Sequence, residues 1–270
     1  LPMYVKNKNF KIDMDEEENH YLIIHSGSRN LGKQVADHYQ NLAIETMQGK
    51  DRLLEMQQQL IKEYKAAGRQ KEIESAIKEL HRTFQPSKLG IPKELCYLEG
   101  KNRENYLHDM RICQEYADLN RKTMANLILE QMGFKSLDRL EHFSTIHNYI
   151  DHESNIVRKG AISAKKDEIV LIPMNMRDGC IIARGKGNDD WNQSAPHGAG
   201  RLMSRSKAKE MLNLEEFEET MKGIYTTCVN NSTLDESPMA YKSMEEILFY
   251  IQDTVDVVKI IKPVYNFKAN

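Results

Sequence analysis

The sequence predicts an α+β fold: a mixed β-sheet core with flanking helices and an inserted helical hairpin. Three observations predict it. Short apolar runs separated by polar turns fill residues 143–185 (FSTIHNYIDHE, NIVRKGAIS, EIVLIPMNM, GCIIAR), the texture of strands. Apolar residues recur at helical spacing through 50–84 and 105–131, in stretches too long for strands. The glycine-rich pieces RGKGND and HGAGR match neither GxGxxG in a βαβ unit nor GxxxxGK[ST], which argues against a Rossmann domain and a P-loop ATPase.

In chain order, YLIIH at 21–25 reads as a buried strand ending at His25. SGSRNLG is then a tight polar loop, and KQVADHYQNLAIETMQ has helical periodicity, so HSGSRNLG occupies a strand-to-helix turn, a usual place for functional loops. Within 51–86, Leu53, Leu54, Met56, Leu60, Ile61 and Tyr64 recur at helical spacing. After a break at AAGRQ, Ile73, Ala76, Ile77, Leu80 and Phe84 repeat the pattern. This charged hairpin reads as a lid or packing arm. QPSKLGIPKEL is a polar loop, and residues 105–131 form one long helix. After the β-rich stretch, a single helix is expected from Lys207 to about Lys222. The last segment, SMEEILFYIQDTVDVVKIIKPVYNF, reads as a helix followed by a proline-bounded strand.

With 270 residues, 40% apolar and 29% charged, the chain can bury a large core, and we expect one catalytic domain over 1–270 with the 51–86 hairpin inserted. A net charge of −2 provides no global attraction to nucleic acid, so RNA binding requires a local basic patch. No apolar run reaches the length of a membrane span, and no membrane partner is expected. Cys96, Cys113, Cys180 and Cys228 show no CxxC pairing. In a lysine-rich chain without a signal peptide they read as reduced thiols of a cytoplasmic protein. The sequence opens on LPMYVKNKNF rather than on methionine, from which we expect a longer protein with further residues upstream.

Three histidines share one context, an apolar strand or turn followed by small or amide residues: His25 in HSGSR, His147 in HNYIDHE and His197 in HGAGR. A lone histidine is more often structural, but three in the same setting point to a metal ligand, a proton carrier or a nucleophile. Imidazoles with few thiolates suit Zn or Mn. His20, His38, His81, His108, His142 and His152 lack this setting and read as surface or packing residues. Most lysines and arginines are solvated charge. Arg29 and Arg201 differ, because glycine and serine neighbours would let main-chain N–H groups and a guanidinium share a phosphate.

Taken together, HSGSRNLG, HNY, RKGAI, SAPHGAGRLMSRSKAK, AYK and the terminal VYNFK resemble the RtcB-type RNA-splicing ligases, from about Asp13 to Asn270 apart from the hairpin. Residues 194–209 carry the most specific part of the likeness. The resemblance implies an enzyme that joins an RNA 3′-phosphate, or 2′,3′-cyclic phosphate, to a 5′-hydroxyl with GTP and Mn²⁺. By the same resemblance, His197 is the nucleophile that forms a histidine–GMP adduct, and His25 and His147 are manganese ligands. Asn148, Gly198, Ala199, Gly200, Tyr241 and Lys268 hold the guanylate. Arg29, Arg158, Arg201 and Arg205 contact phosphate or RNA. Broken-ended RNA, such as tRNA halves or damaged RNA, and an archease-type activator are the implied partners.

The chain departs from the family pattern in three places. The DxxCG motif that supplies an aspartate and a cysteine to the metal is absent. By spacing from His25, residues 7–11 stand where the family has NHFIE, with lysine in place of the ligand histidine and of the nearby glutamate. PMNMRDG stands where many members have PGSMGT; Asn175 keeps the ability to donate to the nucleotide, and Arg177 and Asp178 can pair with each other or touch substrate. Two other readings therefore stand beside the ligase: a catalytically decayed RNA- or nucleotide-binding paralogue, and a metal-dependent phosphodiesterase in which His197 is a ligand.

Overall fold

The computed structural model describes residues 9–268, in two compact units. One comprises the chain up to Gly27 and from Tyr116 onward; the other is Ser28–Glu115. The first unit is α+β, as the sequence predicts. Its larger sheet takes the order β2 (His20–His25), β1 (Asn9–Met14), β9 (Val255–Lys268), β6 (Cys180–Gly185), β5 (Ile169–Pro173), with β8 (Tyr225–Thr226) also on β9. All pairs are antiparallel except β8–β9. The smaller sheet is β3 (His147–Asp151), β4 (Ile156–Ser163), β7 (Ser194–Pro196).

Both faces of β6 are covered, which explains why CIIAR shows no polar alternation. Ile181 and Ala183 join a core with Ile162 of β4, Ala195 of β7 and Ile247 of α7 (Met244–Tyr250). Cys180 and Ile182 pack on the opposite face with Ile261 of β9, against Tyr21 and Ile23 of β2. Burial raises the Cys180 thiol to about 11, so it remains protonated. Gly179, just before β6, has φ +82°, and a Cβ there would lie 1.9 Å from the Ile261 carbonyl oxygen. Gly179→Ala is expected to destabilise the fold by on the order of 3 kcal/mol, read as a lower denaturation midpoint.

Two expectations need correction. The helix expected from Lys207 to Lys222 is two helices, α5 (Arg205–Met211) and α6 (Leu214–Thr220). Asn213 divides them, because its side chain accepts from the Glu216 N–H and starts the second helix. Phe217 of α6 is fully buried in a separate core with Met176, Met221, Cys228 and Leu234. The C-terminal strand runs through its proline: Pro263 pairs with Asp13 where the β1–β9 register shifts, one of the few sheet positions that tolerate a missing N–H.

In the second unit, α1 (Arg29–Met47) begins four residues earlier than its periodicity suggests. Tyr39 donates at 2.6 Å to Asp109, in the third turn of α4 (Gly100–Gln131), and Gln40 donates to the Lys93 carbonyl at 2.6 Å. The hairpin is formed as expected by α2 (Lys50–Ala66) and α3 (Ile73–Thr83), with no side chain of either helix fully buried. Among the described residues, no helix is long and apolar enough to cross a membrane.

Candidate active site

The three histidines sit at strand ends of the first unit. His25 closes β2, and the loop after it is tied to α4: Asn120 donates to Ser26 Oγ and the Gly27 carbonyl, and Arg121 to the Ser26 carbonyl. His147 opens β3, just after a segment fixed by Thr145 Oγ1, which accepts from the Leu171 N–H. His197 follows β7 directly, and its N–H faces the Gly160 carbonyl at 3.4 Å.

A local irregularity brings the second and third together. The β3–β4 register shifts between His147 and Tyr149, with Asn148 at φ 55° and Gly160 at φ +69°. Asn148 Oδ1 accepts from the Gly160 N–H at 2.7 Å and staples the bulge. The His197 ring then lies on the bare Gly160 backbone, 3.8 Å from where a Cβ would be.

His25 Nε2 and His147 Nε2 are 3.1 Å apart, and the His147 and His197 ring centroids are 4.8 Å apart at 35°. Desolvation, and the charges of the His25 and His197 rings, push His147 down to about 4. Desolvation, Lys268 and His197 likewise lower His25. Both rings are thus neutral near pH 7, the form that binds metal. Their separation is that of two neighbouring ligands on one divalent ion with metal–nitrogen distances of about 2.1 Å. Buried His147 Nδ1 has no hydrogen-bond partner. The pair fits as part of a metal site, but among the described residues no three His, Cys, Asp or Glu groups converge to complete one. Asn7 and Lys8 lie outside the described residues. Lys11 is described: its ammonium pairs with fully buried Asp13 at 2.8 Å.

A second cluster gathers Tyr241, Lys268, Arg201 and Arg205 around Asp235 and Glu236. Glu236 accepts from the Tyr241 hydroxyl and Arg205 Nη1, each at 2.8 Å, and from Lys268. Arg205 also pairs with Asp235 at 2.7 Å. Arg201 stacks on the Tyr241 ring at 4.8 Å and donates to its hydroxyl at 3.1 Å, while its buried Nη1 has no partner. Burial opposes ionisation of Glu236, but Lys268, Tyr241 and Arg205 outweigh it and hold the carboxyl down to about 2. Asn9 of β1 pairs with His25 on one side and with Lys268 on the other, so His25 and the Lys268 end of the cluster lie level with each other, two strands apart.

The HGAG loop links the two clusters. Ala199 packs into the core, Gly198 runs so close to the Pro173 carbonyl that a Cβ would come within 2.9 Å, and Gly200 is exposed with φ +69°. Two candidates are bonded differently from their expected roles. Arg158 is 2% exposed and bonded to Asp151, Tyr149, Ser194 and the Asn192 carbonyl, so it holds the fold instead of meeting phosphate or RNA. Asn175 spends both ends of its amide on its own turn: Oδ1 accepts from the Arg177 and Asp178 N–H groups, and Nδ2 donates to Asp178. That turn also carries the expected Arg177–Asp178 pair, at 2.7 Å. Arg29 opens α1 in the second unit, with φ 52°. Sequence reasoning missed Asp235 and Glu236; two acids six and five residues before the Tyr241 of AYK were the available signal.

Comparison with known proteins agrees with the motifs. The family model "tRNA-splicing ligase RtcB" matches residues 4–269. The chain is 28% identical to the RNA-splicing ligase RtcB of Escherichia coli (strain K12), over 97% of this chain and 59% of that protein. It is 28% identical to the tRNA-splicing ligase RtcB of Aeropyrum pernix, over 84% of this chain and 47% of that protein. With that of Methanococcus maripaludis it shares 24% identity over 94% of this chain and 52% of the relative. The chain thus spans about half to three-fifths of the length of these relatives. With a family match over nearly every residue and the motif histidines side by side, the chain belongs to the RtcB family.

Proposed function

We propose that this chain carries the nucleotide-transfer site of a GTP- and Mn²⁺-dependent RNA ligase that joins an RNA 3′-phosphate or 2′,3′-cyclic phosphate to a 5′-hydroxyl. The supporting observation is the convergence of His25, His147 and His197, from three distant strand ends, beside a cluster of cations. In this reading, a bare nitrogen of His197 attacks the α-phosphorus of GTP, pyrophosphate leaves, and a histidine–GMP phosphoramidate forms. The guanylyl group passes to the RNA 3′-phosphate, the 5′-hydroxyl attacks, and GMP leaves. Asn148 and the 198–200 loop border the histidine, while Tyr241 and Lys268 hold the guanylate. Arg201 and Arg205 provide phosphate contacts, and Arg201 Nη1 is a donor still to be satisfied. A divalent ion on His25 and His147 supplies charge neutralisation at the phosphates when bound. Broken-ended RNA is the substrate, an archease-type protein the activator, and the cytoplasm the place of action.

A second reading, a nucleotide-binding relative without ligation, draws on Lys11, whose ammonium is paired with Asp13 where the family has an acid, and on the donor set of two among the described residues. One experiment separates them. The full-length protein is incubated with [α-³²P]GTP and Mn²⁺ and denatured. Acid-labile, base-stable label on the protein supports the ligase. GMP binding without covalent label supports the second reading, and hydrolysis of a cyclic phosphate without GTP would replace both with a phosphodiesterase.

A further inference from the structure

Glu236 has no role in the chemistry above, yet more of the cluster converges on it than on any candidate residue. It ends a 3-10 turn, Asn231–Glu236, whose path is fixed by a reciprocal cap: Asn230 Oδ1 accepts from the Ser232 N–H, and Thr233 Oγ1 from the Asn230 N–H. Buried Thr233, Leu234 and Asp235 precede it, and fully buried Ser237 follows. Such a backbone can present one side chain reproducibly.

Each carboxylate oxygen has its own work. Oε2 accepts from the Tyr241 hydroxyl and the Lys268 ammonium. Oε1 accepts from Arg205 Nη1 at 2.8 Å and faces Arg201 Nη2 at 3.4 Å. The partners come from four places in the chain: the HGAGR loop, α5, the AYK bridge to Arg201 and the end of β9. Without an acceptor between them, Lys268 and the two arginines repel one another, and the Tyr241 hydroxyl loses its acceptor. Asp235 shares Arg205 with Glu236 and adds Lys209, within 3.4 Å. Four cations face two carboxylates, so positive charge remains for an incoming anion.

We propose that Glu236 is a positioning residue for the guanylate: one carboxylate oxygen orients Tyr241 and Lys268, while the other is anchored by Arg205 and Arg201. This rests on the nucleotide-binding reading above. Phosphate recognition then belongs to the arginines, and nucleoside recognition depends on Glu236 acting through its two partners.

The test is calorimetric binding of GMP with Mn²⁺, and separately of inorganic pyrophosphate, to the full-length protein. Glu236→Gln should weaken GMP binding by about tenfold or more, the scale of one charge-assisted contact. It should leave pyrophosphate binding within about twofold, because Arg205 keeps the Asp235 carboxylate and Arg201 keeps the Asp235 carbonyl as acceptors, a separation that general loss of structure would not produce. Tyr241→Phe should weaken GMP binding too, and the double variant should be no worse than the weaker single, because the two act as a unit. Unchanged or tighter GMP binding by Glu236→Gln, equal loss of both ligands, or additive effects in the double variant would overturn the role of Glu236. Failure of the unsubstituted protein to bind GMP would instead overturn the nucleotide reading, and this proposal with it.

Discussion

His197→Ala is expected to lower transfer of guanylate to the protein by about 10⁴-fold or more, the scale on which a covalent nucleophile is lost when its neighbours cannot replace it. The Nε2 atoms of the two neighbouring imidazoles are already engaged. His25 and His147 turn their Nε2 atoms on each other at 3.1 Å, which commits the nitrogens that a substitute would use. The fold should tolerate the change. The half-buried His197 ring rests on Gly160 at ordinary contact distance and belongs to none of the apolar cores, so stability should fall by about 1 kcal/mol or less. Label retention and a thermal melt on the same preparation separate chemistry from folding. Retained label in a well-folded variant would remove His197 from the nucleophile's position.

Arg158→Met is expected to do the opposite, costing about 3–5 kcal/mol of stability because it leaves Asp151 charged and buried with only the more distant, half-exposed Lys165 as counter-charge. The side chain is 1% exposed, and its guanidinium joins three strands: β3 through Asp151 at 2.9 Å and Tyr149 at 3.1 Å, β4 on which it sits, and β7 through Ser194 at 2.9 Å. The sign of the pH dependence follows from Asp151. Burial opposes its ionisation, but Ser154, Arg158 and Lys165 outweigh it and hold the carboxyl below the usual range. That contribution to stability is complete above the unfolded value of about 3.9 and is lost as pH falls through the folded one. The gap between the two proteins should therefore be widest near neutral pH and narrow below about pH 4 in urea titrations. A surface phosphate contact would give no such gap; it would weaken RNA binding and leave the melting curve alone.

These two residues mark what could be read from the sequence. His25, His147 and His197 announce themselves locally, each where an apolar run gives way to small residues, because a strand end is written in adjacent positions. The hairpin is legible for the same reason: a repeat of apolar residues at helical spacing is complete within each of its helices. Arg158 and Asn175 look alike from sequence, polar groups near glycine, and both prove to be bound to their own fold. The partners that decide this for Arg158 lie 7 and 36 residues away, and no local pattern encodes that pairing. Glu236 went unnoticed for a similar reason, since its meaning comes from Lys268, 32 residues further on. The break at Asn213 was readable in principle, as an amide three residues before Glu216.

The pairing of β1 with β9 joins residue 9 to residue 268, with the whole of Ser28–Glu115 looped between the strands. Closing so long a loop is only modestly more costly than closing a short one, because the penalty grows with the logarithm of length. Its kinetic burden is heavier. The β5–β6 hairpin can form from neighbours, whereas β1 must wait for a partner from the far side of the sequence. The candidate site, with Lys268 on one of these strands and His25 joined through the other, is therefore expected to be among the last parts of the molecule to take shape as it folds.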